Sequence, residues 1–224
     1  MSRTRVPVTL EEHKMALSCL RGRIVLIDDY PEILSALVPF FEMEGYYCES
    51  YLSAESYLDY DAERPLPFPG PWCVLSDVKL PGIDGLELQR VLIEKGNPPL
   101  ILMSGNSGAL EAVEGLRKGA IDFLIKPFDA DDLLSVISDA MIKSCQTQQE
   151  AREVSNANER YALLTTREAE IIDRVLLGKI NREIAEELDI ALRTVKLHRQ
   201  HAFEKLGVVK VVELVKVISL VKKY

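Results

Sequence analysis

The feature that most constrains the fold of this chain is an alternation of short apolar runs with amphipathic stretches, beginning at Ile24. The apolar runs predict strands at residues 24–27, 48–52, 72–76, 100–104 and 122–125. Apolar residues at helical spacing predict helices at residues 31–44, 54–60, 85–94, 108–118 and 129–144. Strands that are apolar on both faces, such as IVLI, are typical of parallel sheets with helices on both sides. We therefore expect an α/β module over residues 23–144, with a five-stranded, doubly wound parallel sheet.

A smaller module of a different class is predicted to follow. Its helical patterns cover residues 166–177, 181–188, 192–206 and 209–222, without a convincing strand pattern. We therefore expect an all-α domain over residues 163–224, in which the short gap between the second and third helices is typical of a helix-turn-helix. The polar stretch 145–162 is predicted to be a linker, with a helical extension of the preceding helix as the alternative. Residues 1–22 are predicted to be an N-terminal extension, either a short helix or a frayed tail.

The charge distribution also separates the two modules. The whole chain of 224 residues has a net charge of -8, which taken alone argues against a nucleic-acid partner. Residues 1–145 carry 13 Lys and Arg against 23 Asp and Glu, whereas residues 146–224 carry 14 against 12. An acidic module joined to a mildly basic one predicts two modules with different partners.

Composition also disfavours membrane and secreted proteins. No apolar run approaches the roughly 20 residues that span a bilayer, and charged residues interrupt the segment where a signal peptide would be apolar. The four cysteines include no CxxC pair and are typical of reduced thiols. We therefore expect a cytoplasmic protein without a membrane partner.

Polar side chains follow four of the five predicted strands, at the point where each strand ends. They are Asp28 and Asp29 after the first strand, Asp77 after the third, Ser104 after the fourth and Lys126 after the fifth. Taken singly, such residues are typical of ordinary turns and helix caps. Because the carboxyl ends of parallel strands meet at one edge of the sheet, we expect them to converge. Clustered carboxylates need a cation, and Mg²⁺ suits their oxygens. A metal ion, a lysine and a hydroxyl around a carboxylate are what phosphoryl transfer to that carboxylate needs.

The motifs that carry these residues are LIDD, LSDVKLPGIDG, ILMSG and DFLIKPF. Together they resemble the receiver domain of bacterial two-component response regulators, over about residues 23–143. The resemblance implies a flavodoxin-like fold, as in the receiver CheY, and phosphorylation of Asp77 by a partner histidine kinase. It also implies that Asp29 and Asp77 bind Mg²⁺ directly, that Asp28 assists through water, and that the backbone carbonyl of Lys79 completes the site.

The same resemblance implies a switch. Ser104 and Lys126 would contact the phosphoryl group, the Ser104 hydroxyl would move inward, and Phe123 would rotate into the space behind it. The alternative for Phe123 is an ordinary core residue on the last strand. The Lys126–Pro127 bond is a candidate cis peptide.

The stretch 163–217 resembles the LuxR-type helix-turn-helix DNA-binding domain, especially that of FixJ-like regulators. The motifs that carry the resemblance are LTTRE, NREIA, TVKLH and KLG. Residues 190–210 contain five Lys or Arg and one Glu, an excess that suits a helix in the major groove. The resemblance implies base contacts by Lys196, Leu197 and Gln200, and phosphate contacts by Thr194, Arg199 and Lys205.

These inferences predict a DNA-binding transcriptional regulator, not a dedicated enzyme, whose dimerisation and promoter binding change when Asp77 is phosphorylated. Its expected partners are a histidine kinase, double-stranded promoter DNA and a second copy of the chain. One alternative is a constitutive DNA binder with an inert receiver. Another is an aspartyl-phosphate phosphatase or phosphotransferase, although such enzymes have a DxD motif after the first strand. Phosphorylation could either release an inhibitory contact between the modules or create a receiver dimer, and the sequence does not choose between them.

Overall fold

A computed structural model of the chain describes residues 21–62, 70–95, 98–105, 113 and 115–221. The chain divides into two compact units, the first ending at Gln148 and the second beginning at Gln149. Residues 1–20 of the predicted N-terminal extension lie outside the described residues, as does most of the first half of the predicted helix at 108–118.

The first unit alternates strands with helices. Its elements are β1 (Arg23–Ile27), α1 (Pro31–Met43), β2 (Tyr47–Tyr51), α2 (Ala54–Ala62), β3 (Trp72–Asp77), α3 (Gly85–Glu94), β4 (Leu100–Ser104), β5 (Asp122–Ile125) and α4 (Ala130–Ala162). Between β4 and β5, residues 115–117 are helical. The five strands are parallel and lie in the order β2-β1-β3-β4-β5. This confirms the predicted doubly wound sheet.

Helices cover both faces of this sheet because successive strand residues point to opposite sides and both sides are apolar. On one face, strand residues such as Ile24 and Leu75 pack against α1 and α4. On the other face, strand residues such as Val25 and Leu102 pack against α2 and α3. Because all five strands are parallel, the carboxyl ends of β1, β3, β4 and β5 share one edge of the sheet.

The described residues of the second unit form an all-α domain, as predicted. After α4, its helices are α5 (Thr166–Leu176), α6 (Asn181–Glu187), α7 (Leu192–Leu206) and α8 (Val211–Val221). The capping box of Thr165 and Glu168 begins α5, and Gly207, with a left-handed φ of 67°, ends α7. The core of the unit joins all four helices through buried side chains that include Ile171, Ile184, Val195 and Leu214.

Residues 145–162 are helical, since α4 runs without interruption from Ala130 to Ala162. Two polar side chains of α4 hold the start of β3. Ser144 Oγ accepts a hydrogen bond from the backbone N–H of Trp72 at 3.0 Å, and Gln148 Nε2 donates to the carbonyl of Gly70 at 2.9 Å. These bonds anchor the part of α4 that precedes the boundary between the units.

Candidate functional site

The site at the carboxyl edge of the sheet begins with two buried aspartates on neighbouring strands. Asp28 follows β1 and is 0% exposed, and Asp77 ends β3 and is 7% exposed. The backbone N–H of Tyr30 donates to Asp28 Oδ1 at 3.0 Å, and the backbone N–H of Lys79 donates to Asp77 Oδ2 at 2.7 Å. Each carboxylate is therefore held by the turn that follows its own strand.

Lys126 joins these two carboxylates. Its ammonium group lies 2.6 Å from Asp28 Oδ2 and 2.5 Å from Asp77 Oδ1. Burial opposes the charged form of Lys126, but the hydrogen bonds and charges of the two aspartates outweigh burial and raise the pKa of Lys126 above its ordinary value. Lys126 is therefore a cation that balances part of the negative charge of the site.

The backbone brings Lys126 to this position. Its N–H donates to the carbonyl of Ser104 at 2.7 Å, which ties the end of β5 to the end of β4. The Lys126–Pro127 peptide bond is cis, as the sequence indicated. Ser104 is 1% exposed, and its hydroxyl donates to the carbonyl of Gly105 at 3.3 Å. The hydroxyl and the ammonium predicted to contact a phosphoryl group thus end adjacent strands.

Asp29 completes the acidic group and bears on the predicted metal. Its Oδ1 atom is buried and has no hydrogen-bond partner among the described residues. Within those residues, no group of three or more His, Cys, Asp or Glu side chains could hold a metal ion by itself. Mg²⁺ needs only one or two carboxylates when carbonyl and water oxygens supply the rest. The unpartnered oxygen of Asp29, with Asp77 and the Lys79 carbonyl, therefore fits Mg²⁺.

Phe123, the predicted switch residue, lies on β5 and is half-buried against the core on the α2 and α3 face of the sheet. Its neighbours on β5 differ in burial, since Leu124 is buried and Ile125 is exposed. Phe123 therefore packs against the core but stays partly exposed. This arrangement is compatible both with a switch residue and with an ordinary core residue.

Sequence reasoning missed a residue that contacts the loop after Asp77. Glu55, at the start of α2, accepts a hydrogen bond at its Oε1 atom from the backbone N–H of Ile83, at 2.8 Å. Its contact is with the backbone of a residue 28 positions away, so no local motif or periodic pattern predicts it. An acidic residue in the first turn of a helix is ordinarily explained by the helix dipole alone.

The second unit presents the predicted helix-turn-helix. Val195, Ala202 and Leu206 of α7 are fully buried and pack into the core of the unit. On the remaining surface of α7, Lys196 and Gln200 are exposed and Leu197 is 51% exposed. The three residues predicted to face base edges therefore lie outside the core, on a helix held in place by its apolar side.

Comparison with protein families gives one match for each of the two units. Residues 24–138 match the response regulator receiver domain, and residues 162–218 match the luxR family of bacterial regulatory proteins. The chain belongs to the response regulator family. This response regulator is a transcription regulator that combines a receiver domain with a LuxR-type DNA-binding domain.

Relatives match nearly the whole length of this response regulator. It is 35% identical to the response regulator protein TodT of Pseudomonas putida, over 89% of this chain and 86% of TodT. It is 31% identical to the transcriptional regulatory protein FixJ of Bradyrhizobium diazoefficiens, over 88% of this chain and 94% of FixJ.

Solved structures of response regulators resemble this one across both units. The structure of StyR gives a TM-score of 0.78 at 28% identity and covers 88% of this chain and 98% of StyR. Full-length FixJ from B. japonicum gives a TM-score of 0.54 at 30% identity, with 90% and 97% covered. Across the residues that the structure describes, no helix is both long enough and apolar enough to cross a bilayer.

Two of the three residues predicted to contact phosphate also have partners inside this response regulator. The Arg199 guanidinium donates to Asn181 Oδ1 at 2.7 Å and lies 5.3 Å from the ring centroid of Phe203. Lys205 Nζ donates to Glu168 Oε2 at 2.7 Å. Thr194 is half-buried in the first turn of α7. Arg199 and Lys205 therefore stabilise the helix-turn-helix, and each has further N–H groups available for a phosphate.

Proposed function

We propose that Asp77 accepts a phosphoryl group from a partner histidine kinase and that this event controls DNA binding by the second unit. The observation that carries the proposal is the position of Asp77 at the end of β3, where Lys126 joins it to Asp28. An oxygen of the neighbouring Asp29 has no hydrogen-bond partner within the part of the chain that the structure describes. This group supplies a nucleophile, a cation and an oxygen site for a metal at one edge of the sheet.

In the proposed transfer, a carboxylate oxygen of Asp77 attacks the phosphorus of a phosphohistidine. The P–O bond forms while the P–N bond breaks, and the electron pair of that bond returns to the histidine nitrogen. The Lys126 ammonium balances the added charge, and buried Asp28 keeps that ammonium in place. Asp29, Asp77 and the Lys79 carbonyl would hold Mg²⁺, with Asp28 assisting through water, and bound Mg²⁺ would neutralise phosphoryl oxygens.

The signal would leave the site through the ends of β4 and β5. The buried hydroxyl of Ser104 would turn toward the new phosphoryl oxygens, and half-buried Phe123 would rotate into the space that this movement leaves. Both residues lie on strands joined by the bond from Lys126 N–H to the Ser104 carbonyl, so a change at one strand end reaches the other.

At the other end of the signal, α7 would enter the major groove of promoter DNA, as one half of a two-fold dimer on a pseudo-symmetric site. Lys196, Leu197 and Gln200 would face base edges, while Thr194, Arg199 and Lys205 would hold phosphates. We also propose a cytoplasmic location, residues 145–162 as the linker between the two domains, and no dedicated enzymatic activity.

The test measures DNA affinity with and without acetyl phosphate and Mg²⁺, in the wild type and in Asp77→Asn. The DNA is a duplex enriched from a random pool by the wild type treated with acetyl phosphate. We expect treatment to increase the affinity of the wild type and to leave Asp77→Asn unchanged. Asp59→Asn is the matched control, because it removes an exposed carboxylate from α2 and should respond as the wild type does.

Two outcomes would favour the alternatives. Equal affinity in all four conditions would refute control by phosphorylation and would favour a constitutive DNA binder. Repeated turnover of a small phosphoester without a partner protein would favour an aspartyl-phosphate phosphatase.

A further inference from the structure

Glu55 supports the loop between β3 and α3 from outside that loop. Its Oε1 atom accepts the N–H of Ile83 at 2.8 Å, and this hydrogen bond is the first cause of the lowered pKa of Glu55. The side chain of Glu55 is only half-exposed, although it is a carboxylate in the first turn of a helix. The acceptor is therefore a carboxylate that is ionised at neutral pH.

The apex of the loop is shaped to receive this carboxylate. Gly82 has a left-handed φ of 78°, which side chains rarely adopt. A side-chain carbon at Gly82 would overlap the Glu55 carboxylate. Glycine at position 82 therefore leaves the space that the Glu55 carboxylate occupies.

The two ends of the same loop are already fixed by other bonds. At its start, the N–H of Val78 donates to the Met103 carbonyl at 2.9 Å, and the N–H of Lys79 donates to Asp77 Oδ2 at 2.7 Å. At its end, the N–H of Gly85 donates to the Val78 carbonyl at 2.9 Å. The bond from Ile83 to Glu55 anchors the apex between these ends, so the path of the backbone around Lys79 is constrained.

We propose that Glu55 is a positioning residue for the phosphorylation site, acting through this loop to hold the Lys79 carbonyl where a divalent cation binds. The inference rests on the proposed function of Asp77. Glu55 contacts neither the phosphoryl group nor the cation, and its effect is on the affinity of the site for Mg²⁺. Groups that orient metal ligands commonly contribute to metal affinity in this indirect way.

The test compares the wild type with Glu55→Ala, Glu55→Gln and the control Asp59→Ala, all in the full-length protein. Binding of Mg²⁺ is measured by calorimetric titration without a phosphodonor. Phosphorylation by acetyl phosphate is then measured across Mg²⁺ concentrations, giving a half-saturating concentration and a maximal rate. Glutamine keeps an acceptor oxygen for Ile83 N–H, and Asp59→Ala removes an exposed carboxylate from the same helix.

Loss of one supporting hydrogen bond predicts a three- to tenfold rise in the Mg²⁺ dissociation constant of Glu55→Ala, on the order of what one such bond contributes. Its half-saturating Mg²⁺ concentration should rise equally, while its maximal rate stays within about twofold of the wild type. Glu55→Gln and Asp59→Ala should bind Mg²⁺ within about twofold of the wild type. Hydrogen exchange of the Ile83 amide should be faster in Glu55→Ala alone.

Unchanged Mg²⁺ affinity in Glu55→Ala would overturn the inference, provided that the wild type is phosphorylated on Asp77. A fall in maximal rate with unchanged Mg²⁺ affinity would also overturn it, because such a change would place Glu55 in the chemical step. If Asp77 is not phosphorylated in any protein, the proposed function itself fails and the inference fails with it.

Discussion

Replacing Lys205 with methionine should destabilise the second unit, because Lys205 neutralises a buried carboxylate. Glu168 is 3% exposed, and its Oε2 atom accepts from Lys205 Nζ at 2.7 Å and from the backbone N–H of Thr165 at 2.8 Å. Removing one partner of a buried ion pair costs about 3–5 kcal/mol. Because the Lys205 side chain is 33% exposed, water screens the pair and we expect the smaller cost of about 2–3 kcal/mol.

The same ion pair predicts how stability depends on pH. Burial alone would raise the pKa of Glu168, but hydrogen bonds from Lys205 and Thr165 outweigh burial and lower the pKa to about 2, from 4.5 in the unfolded chain. A lowered folded-state pKa gives a contribution that is complete above pH 4.5 and is lost as the pH falls toward 2. At about 1.4 kcal/mol for each unit of pKa shift, that contribution is at most about 3.5 kcal/mol. In Lys205→Met, this dependence should be weaker.

Urea unfolding at several pH values measures both effects. Far-UV circular dichroism reports helices of both units, whereas Trp72, the single tryptophan of the chain, reports the first unit through its fluorescence. A transition seen only by circular dichroism therefore belongs to the second unit. Lys216→Met is the control, since it removes an exposed positive charge from α8. If Lys205→Met and Lys216→Met unfold at the same urea concentration and with the same pH dependence, the ion pair does not stabilise the unit.

Three further predictions concern other sites. Lys196→Ala should weaken binding to a specific duplex by roughly 1–3 kcal/mol if Lys196 contacts a base, without changing the urea concentration at which the protein unfolds. If a gel-shift titration shows unaltered affinity, another surface lies in the groove. Lys126→Met should destabilise the first unit by about 3 kcal/mol, measured by Trp72 fluorescence in urea, because buried Asp28 loses its cation. Added Mg²⁺ should restore part of this stability, and equal unfolding midpoints of the wild type and Lys126→Met without Mg²⁺ would contradict the prediction. Iodoacetamide should modify exposed Cys145 rapidly and buried Cys48 slowly, since burial and nearby Glu42 and Glu49 raise the pKa of Cys48 to about 12. Equal modification rates of the two thiols in peptide mass spectrometry would refute this prediction.

The sequence was sufficient to predict the sheet and the convergence of its polar side chains. Hydrophobic runs specify buried strands, and parallel strands necessarily place their carboxyl ends together, so Asp28, Asp77 and Lys126 had to be near one another. It could not show which carboxylates the ammonium joins. That choice depends on side-chain paths across three strands, and it leaves one oxygen of Asp29 without a hydrogen-bond partner among the residues described.

In the helix-turn-helix, too, the sequence does not show which acceptors the long side chains reach. The resemblance to LuxR-type domains implied that Arg199 and Lys205 contact phosphates. In the structure, each also reaches an acceptor inside the unit, Asn181 for the first and Glu168 for the second. These acceptors lie 18 and 37 positions away, beyond the range of any helical pattern, and a half-buried cation lowers its free energy by reaching them.

If Asp77 is phosphorylated as proposed, charge balance implies that the contacts of Lys126 change. The three carboxylates and one ammonium of the site leave a net negative charge that a divalent cation would neutralise. An acyl phosphate on Asp77 adds negative charge and converts the attacking oxygen into a poor acceptor, so an ammonium bonded to Asp77 gains by moving to a phosphoryl oxygen. Asp28 is fully buried and retains its bond to Lys126, which limits this movement to a short shift about a fixed partner. Because the N–H of Lys126 is bonded to the Ser104 carbonyl, that shift occurs where β4 and β5 meet, next to both predicted switch residues.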